Sequence, residues 1–284
     1  STTAVIDSMT IKATMESVAL SNFNCNSLTF DGATFKGLGI SGTCKIGTMT
    51  VKNSDMSAVS SSISSDVSVN TLIVGQGNNY RTLSSMFQNL SNLTTVILNG
   101  DVPKNFVRAK NTVTTVEINE GCESIGDNAF DNCKSITNIT GFEHLRSIGV
   151  SAFANAFPAD TSFDVIELNN CSLGNRAFLN QMNIINISTL RLNNCTVSDE
   201  AFTGWSSTQY FNFETVEISN SNMTKAIFRY DKINNLIIKN STYTSLCADG
   251  TKINTLTTDC DVPKNAFNNA GITSVTLQML SLHC

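Results

Sequence analysis

The sequence is poor in charge. Asp, Glu, Lys and Arg make up only 14% of its 284 residues, where about a quarter is usual. The net charge is −5, which excludes an electrostatic nucleic-acid binder, because such a protein needs clustered Lys and Arg. There are two histidines, His144 and His283. A His-rich metal site is therefore excluded, and a His-based triad has few candidates. No C-x-x-C pair occurs, so a zinc or redox centre has little support. No apolar run approaches the ~18 residues that would suggest a membrane span. Position 1 is Ser1 rather than Met, as expected of a processed or excerpted chain, and no signal peptide is visible, as none would be in a mature secreted protein.

What the chain has instead is small polar residues: 35 Asn, 33 Ser and 33 Thr. Leu, Ile, Val and Phe still make up 27%. That is above the level at which a chain fails to bury a core, so wholesale disorder is excluded.

Internal repeats decide the fold. The template apolar-x-x-apolar-x-apolar fits thirteen times. It begins at Ile6/Met9/Ile11, Cys25/Leu28/Phe30, Ile46/Met49/Val51, Val69/Leu72/Val74, Leu93/Val96/Leu98, Val113/Val116/Ile118 and Ile136/Ile139/Gly141. It continues at Phe163/Ile166/Leu168, Ile187/Leu190/Leu192, Phe213/Val216/Ile218, Ile233/Leu236/Ile238, Ile253/Leu256/Thr258 and Ile272/Val275/Leu277. Only Gly141 and Thr258 break the apolar rule. Each hexamer ends in an alternating triad, the mark of a half-buried strand. One strand every 19–27 residues with the same edge inward predicts a solenoid of parallel strands, each repeat burying its apolar edge only by stacking. No linker divides the chain, so residues 1–284 read as a single solenoid domain. The Ser-rich stretch 54–68 reads as the return segment of one repeat.

A second signature lies in the return segments. Ile125-Gly-Asp-Asn-Ala-Phe130-Asp-Asn-Cys133 is followed by Ile148-Gly-Val-Ser-Ala-Phe153-Ala-Asn-Ala156, and Leu173–Phe178 and Val197–Phe202 repeat it. Val102-Pro-Lys-Asn-Phe106 and Val262-Pro-Lys-Asn-Ala-Phe267 are near-copies, and Phe87 and Phe228 hold the same place. One aromatic per repeat reads as a packed column locking adjacent coils. The unit I-G-x-x-A-F-x-x-C after L-x-x-L-x-L resembles the BspA-like leucine-rich repeats, also called the Treponema pallidum type. The likeness is regular over about 93–228 and skeletal over 1–92 and 229–284. The resemblance implies a right-handed leucine-rich-repeat coil of about 13 repeats, with a parallel sheet on its concave face. It also implies an extracellular or surface location on a host-associated bacterium or protist parasite, and a link with adhesion to matrix or host proteins.

Nine cysteines leave at least one unpaired within a monomer. Cys133, Cys171 and Cys195 follow the repeat and read as buried thiols, as does Cys25. Cys171 and Cys195 stand three residues after the last apolar of their strands, where Ser54, Ser221 and Ser241 stand elsewhere. A group there can satisfy backbone atoms of the turn. Cys247, Cys260 and Cys284 lie in the irregular C-terminal part, where a pair is open. Eight Asn-x-Ser/Thr sequons occur, and chance expects about eight from this composition, so they say nothing of glycosylation.

Residues between the inward apolars form the outer sheet surface. The third hexamer position is Ser, Thr or Asn in all repeats but one, Val165. The fifth varies, and there a binding face would be written. Ile73 and Ile97 are apolar at an outward position, and Glu117 follows. Glu167, Arg191 and Glu217 form an acid–base–acid series on neighbouring strands, about 4.8 Å apart. These six are the candidate partner-binding residues; decoration of the sheet is the plainer account. Trp205 and Tyr210, in a long return segment, either anchor a partner or pack on the next coil.

The leading expectation is a non-catalytic recognition or adhesion domain of a secreted or cell-surface protein, with a protein or glycan partner such as a host-surface or matrix component. No catalytic residue, cofactor or metal is expected. One alternative is a parallel β-helix polysaccharide-acting enzyme. Its carboxylates Glu167 and Glu217 would stand about 9.6 Å apart, slightly beyond the ~6.5–9.5 Å of an inverting pair. Another is a structural spacer. Both termini fall near a repeat without an evident polar cap, so association through terminal coils, or more repeats in a longer parent chain, is expected.

Overall fold

The computed structural model describes residues 4–56, 60–79, 86–223 and 225–278. They pack as two compact units, Ser1–His144 and Leu145–Cys284. Each unit is a parallel β-solenoid. The first holds a seven-stranded sheet of Val5–Ile11, Asn24–Asp31, Cys44–Lys52, Val67–Val74, Thr95–Leu98, Thr115–Ile118 and Asn138–Thr140. The second holds a six-stranded sheet of Ser162–Asn169, Ile184–Asn193, Tyr210–Ser219, Lys232–Lys239, Lys252–Thr258 and Gly271–Leu277. Helix among the described residues is confined to short 3-10 turns at Met86–Asn89 and Phe142–His144.

Each of the thirteen hexamers supplies one of these strands, in whole or in part, and the register pairs like position with like. Met9, Leu28, Met49, Leu72, Val96, Val116 and Ile139 follow one another across the first sheet. Ile166, Leu190, Val216, Leu236, Leu256 and Val275 do so across the second. A slip of one residue would turn every inward apolar out to water, which is why so plain a pattern sets the register.

The return segments carry the Phe column. Phe87, Phe106 and Phe130 meet edge to face at 5.3 and 6.1 Å in the first unit. Phe153, Phe178, Phe202 and Phe228 stack at 5.3, 4.8 and 6.3 Å in the second. All seven are fully buried, and each adds ring contact beyond its area. The two Val-Pro-Lys-Asn copies differ in depth: Val102 is 4% exposed and Val262 45%.

The first coils are built differently from the rest. Their return segments are strands, Thr14–Ser21, Thr34–Ser41 and Ser60–Ile63, forming a second parallel sheet. Two of them repeat the hexamer itself, as Met15/Val18/Leu20 and Phe35/Leu38/Ile40. The Ser-rich stretch 54–68 thus contributes a strand of its own, although residues 57–59 lie outside the described set.

The two breaks in the apolar rule have local causes. Gly141 has φ +88°, and a Cβ there would be driven into the carbonyl oxygen of Ile118; only glycine fits. Thr258 is buried, and its Oγ1 accepts the backbone N–H of Cys260 at 3.0 Å. The turns account for much of the Asn. Among the described residues, twelve of the nineteen non-glycine residues with positive φ are Asn, the residue that tolerates the left-handed region best after glycine. Several are stacked by their amides: Asn194 Nδ2 donates to Asn170 Oδ1 at 2.6 Å, and Asn240 Nδ2 to Asn220 Oδ1 at 2.7 Å.

Candidate functional site

The outward residues of each large sheet stand one rung apart in straight columns. In the first unit Ile73 pairs with Ile97 and Ile97 with Glu117. The two isoleucines, expected to be exposed, are half-buried. Thr50 and Glu117 flank them along the column, one rung away on either side.

In the second unit Glu167 pairs with Arg191 and Arg191 with Glu217. Arg191 Nε donates to Glu217 Oε2 at 3.1 Å, and its Nη1 stands 3.8 Å from Glu167 Oε2. Glu167 Oε1 also accepts from Asn169 Nδ2 at 2.9 Å. All three side chains are 42% exposed, so the pairs contribute at most about 1 kcal/mol each. An inverting carboxylate pair keeps its gap for a water; here a guanidinium bridges it. The six candidates therefore form two columns of three, one in each unit.

The thiols fall as the repeat indicated. Cys25, Cys171 and Cys195 are buried and free, as are Cys44, Cys122 and Cys247; Cys133 is buried, and Cys260 is half-buried and free. Cys284 and His283 lie outside the described residues. Burial pushes the thiols of Cys122, Cys133 and Cys171 up to about 12. Desolvation disfavours the thiolate, so these are packing groups rather than nucleophiles. No group of three or more His, Cys, Asp and Glu is gathered as a metal site among the described residues.

A feature the sequence reading left open is the loop Gly204–Gln209. Trp205 is 55% exposed, while Tyr210 is buried. Met182 and Ile184, on the preceding coil, are 40% and 36% exposed. The loop is closed by Trp205 N–H donating to Gln209 O at 2.7 Å. Its two ends are held by one buried carboxylate: Asp231 Oδ1 accepts from the N–H of Gly204 at 3.1 Å and of Phe211 at 2.9 Å. Asp231 Oδ2 accepts from Arg229 N–H at 3.2 Å. Burial holds this carboxyl well above the usual carboxylate range, against the pull of those three donors. A lone Asp two residues before a hexamer was the only sequence signal.

Residues 101–234 match the model of the BspA type leucine rich repeat region, in six copies. This stretch is a BspA-type leucine-rich repeat region. The BspA-type repeats cover the coils whose returns carry Phe106 to Phe228 and stop short of the N-terminal coils whose returns are strands. No curated protein and no solved structure matches the chain. No helix among the described residues is long and apolar enough to cross a membrane.

Proposed function

We propose that the chain is a non-catalytic recognition or adhesion domain of a secreted or cell-surface protein. Its partner is a protein or glycan, of the kind displayed on host cells or in matrix, engaged through the repeat surface. One observation carries this reading: the rungs are equivalent in register, and the third position is small and polar in every repeat but that of Val165, yet the fifth ranges over Thr, Ile, Glu, Arg and back along the column. Packing does not demand that variation, because these side chains face outward. A solenoid also offers an extended surface suited to large partners, and a leucine-rich repeat region accords with protein interaction. Ile73, Ile97, Glu117, Glu167, Arg191 and Glu217 are the residues assigned to contact.

The test is binding of labelled protein to epithelial cells and to a panel of matrix proteins and glycans. A variant carrying Ile73→Asp, Ile97→Asp and Arg191→Glu, checked for intact folding, runs beside it. Loss of binding in the variant supports the reading. Binding that survives moves recognition off the fifth-position columns. No binding by either protein to the panel favours a spacer.

A further inference from the structure

We propose that a groove in the second unit, beside Lys232 and Lys252, binds an anionic linear polysaccharide. The groove encloses about 460 Å³ where the strands enter the large sheet. The column that precedes the hexamers forms one wall: Asn212, Lys232 and Lys252 on consecutive rungs. The second hexamer position forms the other, with Asn234 and Asn254. Ile233, Ile253 and Ile272 lie beneath.

The two lysines are the informative part. Paired directly across the ladder, like charges at one rung's distance destabilise a sheet. Among the described residues neither ammonium forms an ion pair with a carboxylate. Higher in the same column the sheet avoids the problem with amides, Asn212 Nδ2 donating to Asn186 Oδ1 at 2.9 Å. At Lys232 and Lys252 it accepts a repulsion that packing does not require. Nor is Lys232 left to swing into solvent. Its Nζ donates to Tyr210 Oη at 2.7 Å and stands 4.3 Å from the centre of that ring. A held ammonium with a second lysine on the next rung thus makes a cationic spot on a chain of net charge −5.

The rest of the groove argues for a sugar chain over an acidic peptide. Asn254 Nδ2 donates to Asn234 Oδ1 at 2.9 Å, and Asn234 Nδ2 to Glu214 Oε1 at 2.6 Å. This amide row can exchange hydrogen bonds with hydroxyls. An extended peptide would seek backbone groups, but those of Lys232–Lys239 and Lys252–Thr258 are engaged by the strands on both sides. The first unit supplies an internal control. At the same place in the coil it has a groove of about 280 Å³ with a single lysine, Lys45, opposite Gly47. Groove shape therefore belongs to the fold, and the paired charge belongs to this site.

The inference does not rest on the fifth-position columns. The experiment is calorimetric titration of the whole chain with heparin-derived and polygalacturonate oligosaccharides, at low and physiological salt. Neutral dextran and poly-glutamate serve as controls. Binding of a sulfated or carboxylated oligosaccharide is expected, weakening with salt, with none to dextran. The variant Lys232→Glu/Lys252→Glu should bind at least tenfold more weakly, while Lys45→Glu matches the parent. Lys232→Gln/Lys252→Gln replaces the first variant if charge reversal disturbs folding. Absence of oligosaccharide binding, or binding unchanged in the lysine variants, overturns the proposal. Poly-glutamate bound as tightly as the oligosaccharides also overturns it and assigns the groove to an acidic peptide.

Discussion

Ser221 Oγ accepts the backbone N–H of Cys195, one coil earlier, at 2.9 Å. The same hydroxyl donates to Ser219 O at 2.7 Å. The relation repeats along the column. Ser241 Oγ accepts the N–H of Ser221 at 3.1 Å, and Ser54 Oγ accepts that of Ala33 at 3.2 Å. Cys260 Sγ stands 3.2 Å from Ser241 N. At these four places a serine or cysteine after the strand thus accepts a backbone N–H of the preceding coil.

Removing that acceptor should be costly for so small a change. Ser221→Ala leaves the buried N–H of Cys195 without a partner, a loss of about 1–3 kcal/mol. Ser221→Cys should recover part of it, because sulfur already fills this role at Cys260. Denaturant unfolding of the three proteins checks the order parent, Cys, Ala; equal midpoints for Ala and parent would contradict it.

The buried thiols set an alkaline limit. The native pKa of Cys122, Cys133 and Cys171 is raised to about 12 from an ordinary 9.0. Below pH 9 both states keep these protons. Above it the unfolded chain loses them first, so stability falls with rising pH, by about 1.4 kcal/mol per pH unit for each thiol. Unfolding midpoints measured from pH 8 to 10.5 should hold and then drop. In a Cys284→Ser variant, thiol reagent at pH 8 should find at most one fast site, Cys260. Rapid reaction of several thiols in the folded protein would show the cores to be open.

Asp231 should matter more than its single charge suggests. Asp231→Ala strips acceptors from the N–H groups of Gly204, Phe211 and Arg229, a loss of about 3–5 kcal/mol if the three are buried and unmet. Asp231→Asn keeps an oxygen for the first two and should lose less. Trp205 is the only tryptophan, so its fluorescence reports on the loop directly. The parent should be readily quenched by acrylamide. The Ala variant should show a broader distribution of lifetimes as the loop ends come free. An unaltered emission and midpoint would mean the clamp is idle.

Much of this architecture was legible because a period-two edge repeated thirteen times admits one register. Met49 opposite Leu72, and Arg191 between Glu167 and Glu217, follow from counting alone. The return strands of the first coils were legible in principle, since Met15/Val18/Leu20 is the hexamer again at half the coil length; reading one hexamer per coil hid them. Trp205 was not legible. Whether an aromatic in an inserted loop folds inward depends on what ties the loop, and Asp231 reaches it from the next coil, more than twenty residues on.

By itself the sequence determined the parallel coil, its register, the buried thiols and the Phe column, because each is a periodic arrangement of apolar side chains. Only the tertiary structure decided the half-burial of Ile73 and Ile97, the Asp231 clamp beneath Trp205, and the pairing of Lys232 with Lys252 across a groove. Those depend on the distance between residues of different coils and on which polar groups find partners there. Such pairings are specific to particular residues and leave no period in the chain.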